Sequence, residues 1–189
     1  MWQQLAGRAI CATHPGRSHA YDGAVLDPKV FKAYDVRGIY PAEIDEDGAR
    51  AIGRAFVEEF GPKRIAVGHD MRVSSPGMAE AAIAGAAEAG ADVLELGLVG
   101  TEMVYFAVGE LGLDGGIAVT ASHNPKDYTG LKIVREGALP VGGESGLLEI
   151  RDRAMSGDSP QPGPPQTSSE RATLRLSGAA GTVSRPESR

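Results

Sequence analysis

The sequence predicts an α/β fold: a mostly parallel mixed sheet with helices on both faces, followed by a disordered tail. Three observations carry this. Short apolar runs alternate with stretches of helical period between residues 30 and 156. Gly 26 and Pro 12 stand beside only 5% aromatics, as a tightly turned, Ala/Gly-rich domain joined to unstructured sequence would have. Repeated strand–helix–strand units imply parallel strands joined by right-handed crossovers, with small residues letting the helices pack close on the sheet.

The elements follow in order. Residues 1–29 carry scattered turn residues and no sustained period, and read as a loose N-terminal arm. Asp45 to Phe60 places Ala49, Ile52, Phe56 and Phe60 on one helical stripe, ended by Gly61-Pro62. The acidic cluster Asp45-Glu46-Asp47 sits at the start of that helix, where the helix dipole favours carboxylates. Arg64–Gly68 reads as a short buried strand, and Ser75 offers an N-cap, with Pro76 in the first turn, to an Ala-rich helix that stops at Gly90. Asp92–Leu98 is the next strand, and Thr101 can cap a helix running through Val108. Gly115–Thr120 and Gly130–Arg135 are two further strands, and a last helix spans about Gly143 to Met155. Residues 157–189 hold no aromatic residue and much Gly, Pro, Ser and Arg, a composition that cannot supply a core.

Charge and cysteine content narrow the function classes. A formal net charge of −6 argues against general nucleic-acid binding, so any phosphate must be held by a few local cations and backbone N–H groups. The single Cys11 excludes an internal disulfide and fits a reducing, cytoplasmic setting. No apolar run reaches the ~20 residues of a membrane span.

Ligands of open α/β sheets bind beyond the carboxyl ends of the parallel strands. Two polar loops fall there, Gly68–Pro76 and Thr120–Pro125, and Tyr128–Lys132 brings a cation back toward the same rim. Ser122 is the plausible nucleophile, but a serine hydroxyl needs activation. A hydrolase would need a positioned base. His123 is adjacent in sequence, and neighbouring side chains of extended backbone point apart; no G-x-S-x-G turn surrounds Ser122. A serine that carries a phosphoryl group fits better, with Arg37, Lys132 and Arg72 as candidate cations.

Four motifs occur in order: Phe31-Lys32-Ala33-Tyr34-Asp35-Val36-Arg37-Gly38, VGHDMRVSSP at 67–76, TASHNP at 120–125 and YTGLKI at 128–133. Together they resemble the first domain of the α-D-phosphohexomutases, in the bacterial phosphomannomutase/phosphoglucomutase group, over residues 30–156. The resemblance implies transfer of phosphate between O1 and O6 of a mannose or glucose phosphate through a phosphoserine and a 1,6-bisphosphate sugar. Ser122 would be the phosphorylated serine and, through its phosphate, a ligand of Mg²⁺. Arg37 and Lys132 would contact that phosphoryl group, and His123 would lie beside the reacting hydroxyl. Tyr34 and Asn124 are candidate substrate contacts, with Asp70 and Arg72 in a supporting loop. Glucose 1,6-bisphosphate would serve as activator.

The family's Asp-Gly-Asp-Gly-Asp metal run does not occur in these 189 residues. Gly143-Glu144-Ser145-Gly146 resembles the family's sugar-selecting loop but reads as a helix N-terminus. The expectation is therefore a serine-bearing domain that does not turn over alone. It would expose an apolar patch toward a second domain, inviting self-association. The alternatives are a fragment that binds sugar phosphate weakly or merely folds, and a piece of a phosphoglucosamine mutase. Asp70 and Arg72 are read equally as an ion pair, and the Tyr34 and Tyr128 side chains as ordinary packing.

Overall fold

A computed structural model of the chain describes residues 26–156; the N-terminal arm to residue 25, with Cys11, and the tail 157–189 lie outside the described residues. The folded body begins before residue 30. Leu26 is buried and bridges to Ile44, and the Asp27 carboxylate caps a 3-10 turn over Pro28–Val30.

The strands are β1 (Val36–Ile39), β2 (Arg64–His69), β3 (Asp92–Leu98), β4 (Gly115–Val119), β5 (Tyr128–Arg135) and the two-residue β6 (Leu139–Pro140). The helices are α1 (Glu46–Phe60), α2 (Ser75–Glu88), α3 (Thr101–Glu110) and α4 (Leu147–Ser156). They form one mixed sheet in the order β1-β5-β4-β2-β3, with β6 paired to β5. The β3-β2-β4 block is parallel, as the strand–helix units imply. The pairings β4·β5, β1·β5 and β5·β6 are antiparallel, a larger share than those units suggest. The reason is local: only residues 120–127 separate β4 from β5, too few for a crossover.

Alternation along the strands divides the core. Ile65, Val67, Ile117, Val119, Leu131 and Ile133 face α1, α2 and α4. Ala66, Ala118 and Val134 face α3 with Val104, Ala107 and Val108. Helices thus cover both faces, three on one and one on the other. α1 and α2 cross so closely that a Cβ on Gly85 would stand 2.0 Å from the Arg50 carbonyl oxygen, and one on Gly53 2.3 Å from that of Ala82. Only glycine fits at this crossing.

Element ends follow capping chemistry, with corrections to the expected ones. Asp45 caps α1 by accepting from Gly48 N, and Gly61 closes it in left-handed backbone at φ 64°. Ser75 is not the N-cap of α2; Ser74 takes that position, and the Ser75 hydroxyl is committed to Asp70 instead. Gly100, not Thr101, caps α3, which runs on to Glu110. α4 starts at Leu147, because Gly143–Ser145 forms a separate 3-10 turn before Gly146 at φ 113°. No helix among the described residues is long and apolar enough to cross a membrane.

Candidate active site

The chain leaves β4 through Thr120-Ala121-Ser122-His123-Asn124-Pro125, and one side chain holds this loop in shape. Arg72, in the turn after β2, uses every N–H of its guanidinium on an acceptor. Nη2 donates to the carbonyl oxygens of Ser122 at 2.9 Å and Asn124 at 2.8 Å. Nη1 donates to those of Pro125 at 2.6 Å and Tyr128 at 3.2 Å, and Nε to Asp70 Oδ2 at 3.2 Å. Arg72 is therefore spent on the loop and is not a cation available to phosphate, which corrects its place among the candidate cations.

Asp70 anchors the clamp. Its Oδ1 accepts from Ser75 Oγ at 2.6 Å and from Arg72 N at 3.0 Å, and its own N–H donates to the Val119 carbonyl. Burial pushes the Asp70 carboxyl up, but hydrogen bonds from Ser75, Arg72 N and Thr120 together with the Arg72 charge outweigh it and hold the group below its ordinary value. Thr120 Oγ1 in turn accepts from Ser122 N at 3.0 Å. A chain of contacts thus runs from the start of α2 through Asp70 and Thr120 to the serine.

Ser122 lies in left-handed backbone at φ 54°, and its side chain is exposed. The loop is a turn here, so the alternation of extended backbone does not apply, and Ser122 Oγ meets His123 Nδ1 at 2.7 Å. The sequence argument that these two side chains point apart is corrected by this turn. His69 plays no part: its Nδ1 approaches the Asp70 carbonyl oxygen at 2.9 Å. Asn124 braces the turn through Nδ2 to the Ala121 carbonyl oxygen at 2.7 Å. Tyr34 is 81% exposed in the turn before β1, and Tyr128 lends its carbonyl to Arg72.

The cations sit on the two strands beyond β4: Lys132 on β5, which pairs with β4, and Arg37 on β1, one strand further out. β1 pairs antiparallel with β5, Val36 opposite Leu131 and Arg37 opposite Gly130. Thr120 N donates to the Gly130 carbonyl, which ties the serine loop to the same rung. Extending the register one step puts Asp35 opposite Lys132, on the face that Arg37 shares. The buried Asp35 accepts from Arg37 Nε at 2.8 Å and from Lys132 Nζ at 3.1 Å. The two-residue spacing of Asp35 from Arg37, which puts both on one strand face, is the sequence signal for this carboxylate.

Among the described residues no group of three or more His, Cys, Asp or Glu could hold a metal ion. Asp35 is committed to two cations and Asp70 to the clamp, so these residues do not fit a magnesium ion. A cleft of about 440 Å³, lined by Phe60, Lys63, Asp114 and Arg135 among others, opens at the amino ends of β2 and β4, away from Ser122. In the serine loop, Ser122 and His123 are exposed while Thr120 and Ala121 are buried.

Residues 28–160 match the family model described as phosphoglucomutase/phosphomannomutase, alpha/beta/alpha domain I. The chain belongs to the phosphoglucomutase/phosphomannomutase family. Within that family it is 52% identical over 130 residues to a phosphomannomutase of Salmonella montevideo, covering 69% of this chain and 28% of the relative. A Klebsiella pneumoniae phosphomannomutase is 48% identical over 145 residues, covering 77% of this chain and 90% of that one. A crystal structure of a phosphoglucomutase/phosphomannomutase family protein from Burkholderia thailandensis superposes with a TM-score of 0.63 at 37% identity, over 69% of this chain and 31% of that one. The chain thus spans under a third of the length of the Salmonella relative.

Proposed function

We propose that Ser122 is the phosphoryl-carrying serine of a hexose-phosphate mutase, exchanging a phosphoryl group with a mannose or glucose phosphate. The observation that carries this reading is the clamp. Three loop carbonyls and that of Tyr128, at the start of β5, converge on Arg72, and an exposed serine is held in strained backbone just after β4, with Lys132 and Arg37 on the two strands beyond. Phosphoryl transfer needs positioning and charge neutralisation more than covalent chemistry from the protein.

In the proposed step Ser122 Oγ attacks phosphorus of a bisphosphorylated sugar. The Oγ–P bond forms as the sugar O–P bond breaks, His123 Nδ1 takes the hydroxyl proton, and the departing sugar oxygen takes one proton from solvent at this exposed loop. His123 is suited to this in the tautomer protonated on Nε2, given its 2.7 Å contact with Ser122 Oγ. Arg37 and Lys132 face the developing charge. Asn124 and Tyr34 are the candidate sugar contacts: Asn124 Nδ2 donates to the Ala121 carbonyl oxygen, which fixes the amide beside the serine, and Tyr34 is 81% exposed. No step is routed through magnesium. The proposal extends to the half-reaction on Ser122, the step for which the described residues supply the serine, the histidine and the cations.

The test is incubation of the 189-residue chain with glucose 1,6-bisphosphate, followed by peptide mapping by mass spectrometry. One phosphoryl group on Ser122, with no conversion of mannose 1-phosphate in a coupled assay, is the expected result. An unmodified Ser122 would leave a weak sugar-phosphate-binding domain or a fragment that only folds.

A further inference from the structure

We infer that Asp35 is a positioning residue for the phosphoryl site: it aims Arg37 and Lys132 and offsets part of their joint charge, so that a phosphoryl group is passed on rather than trapped. The inference deepens the proposed function and rests on it for the transfer step; the charge argument stands on the geometry alone. Asp35 is 5% exposed, the least accessible of the three, and bonds both cations at once. Its place follows from the strand register, since Asp35 lies opposite Lys132 and two residues before Arg37 on one face. Gly130, opposite Arg37, lets β1 lie close against β5: a Cβ at 130 would stand 2.0 Å from the Val36 carbonyl oxygen and 3.1 Å from Arg37 Cγ.

The way Asp35 bonds leaves the working ends of both cations free. Arg37 spends only Nε, so its terminal fork remains for a phosphoryl oxygen. Lys132 spends one of three N–H groups. Two positive charges and one negative leave the cluster at net +1. Without the carboxylate the cluster would be +2, would grip a phosphate dianion harder, and would lose the bracket that aims it.

Those two consequences have opposite signs, and a general loss of structure would not give both. Asp35→Asn keeps the size of the side chain, and its fold is checked by circular dichroism; should it not fold, Asp35→Ser carries the same comparison. Two quantities are measured on the 189-residue chain. One is the limiting rate of Ser122 phosphorylation by glucose 1,6-bisphosphate, and the other is the dissociation constant of inorganic phosphate from side-chain NMR shifts. The expected result is transfer slowed at least about tenfold with phosphate bound about fourfold tighter. A folded variant with unchanged transfer, or with unchanged or weaker phosphate binding, overturns the inference. Should wild-type Ser122 take up no phosphoryl group, the proposed function fails, and the phosphate measurement alone then decides the charge role of Asp35.

Discussion

Ser122 stands in left-handed backbone at φ 54°, where an L-residue with a Cβ is strained by roughly 1–2 kcal/mol. Strain of this kind collects at functional sites, where the surroundings over-determine an otherwise poor conformation. Its signature is a comparison of two variants that both lack the hydroxyl. Ser122→Gly is expected to be more stable than Ser122→Ala by about 1 kcal/mol, read from urea denaturation midpoints. Equal stabilities would mean the turn is not strained. Asp70 gives a second expectation. Its folded value lies below its unfolded one, so its ionised form stabilises the fold fully above the ordinary value of 3.8, and that contribution drains as pH falls through the folded value. Ser75→Ala removes one of the hydrogen bonds responsible, so acid unfolding is expected to begin at a higher pH in that variant. At this scale the sequence named the serine, its histidine and both cations, because motif and rim position are local features. It did not reveal the Ser122–His123 contact or the Asp35 bracket, since one depends on a positive φ and the other on pairing between residues 97 positions apart.

Among the elements, α1, β2, β3 and β4 were legible from apolar period and turn residues, β3 at both ends and the others with one end displaced by a single position. β1 was not, because Val36-Arg37-Gly38-Ile39 is four residues long with an arginine and a glycine inside it. It becomes a strand only through pairing with β5. The N-cap of α2 falls on Ser74 and not on Ser75, because the Ser75 hydroxyl has a competing partner and contributes to the serine clamp through Asp70. Helix start and active-site support thus share one residue. The α1–α2 crossing gives the sharpest expectation for packing. Gly85→Ala would drive a methyl into the Arg50 carbonyl, and helix separation of this kind costs about 1–3 kcal/mol. A lowered thermal midpoint is the expected reading, whereas an unchanged one would show that the helices slide apart freely.

On the scale of the molecule, the sheet places its parallel strand ends, the Arg72 clamp and the Asp35 bracket at one rim, while the outer side of α3 carries exposed apolar residues. Met103 and Phe106, 43% and 61% exposed, lie three residues apart on one helix face, near Leu98 at 67%. Light scattering is expected to show concentration-dependent association that a Met103→Lys, Phe106→Lys double variant reduces; equal scattering by both would remove this face as the cause. The central claim is that Arg72 makes Ser122 a phosphoryl acceptor by holding its loop. Lysine keeps the charge but cannot reach four carbonyls and a carboxylate from one plane. The decisive measurement is therefore the rate of phosphoryl uptake from glucose 1,6-bisphosphate, mapped by residue, in wild type and in folded Arg72→Lys. Uptake on Ser122 alone is expected in wild type, with a rate at least about tenfold lower in the variant. Equal rates, or uptake on another residue, would contradict that claim.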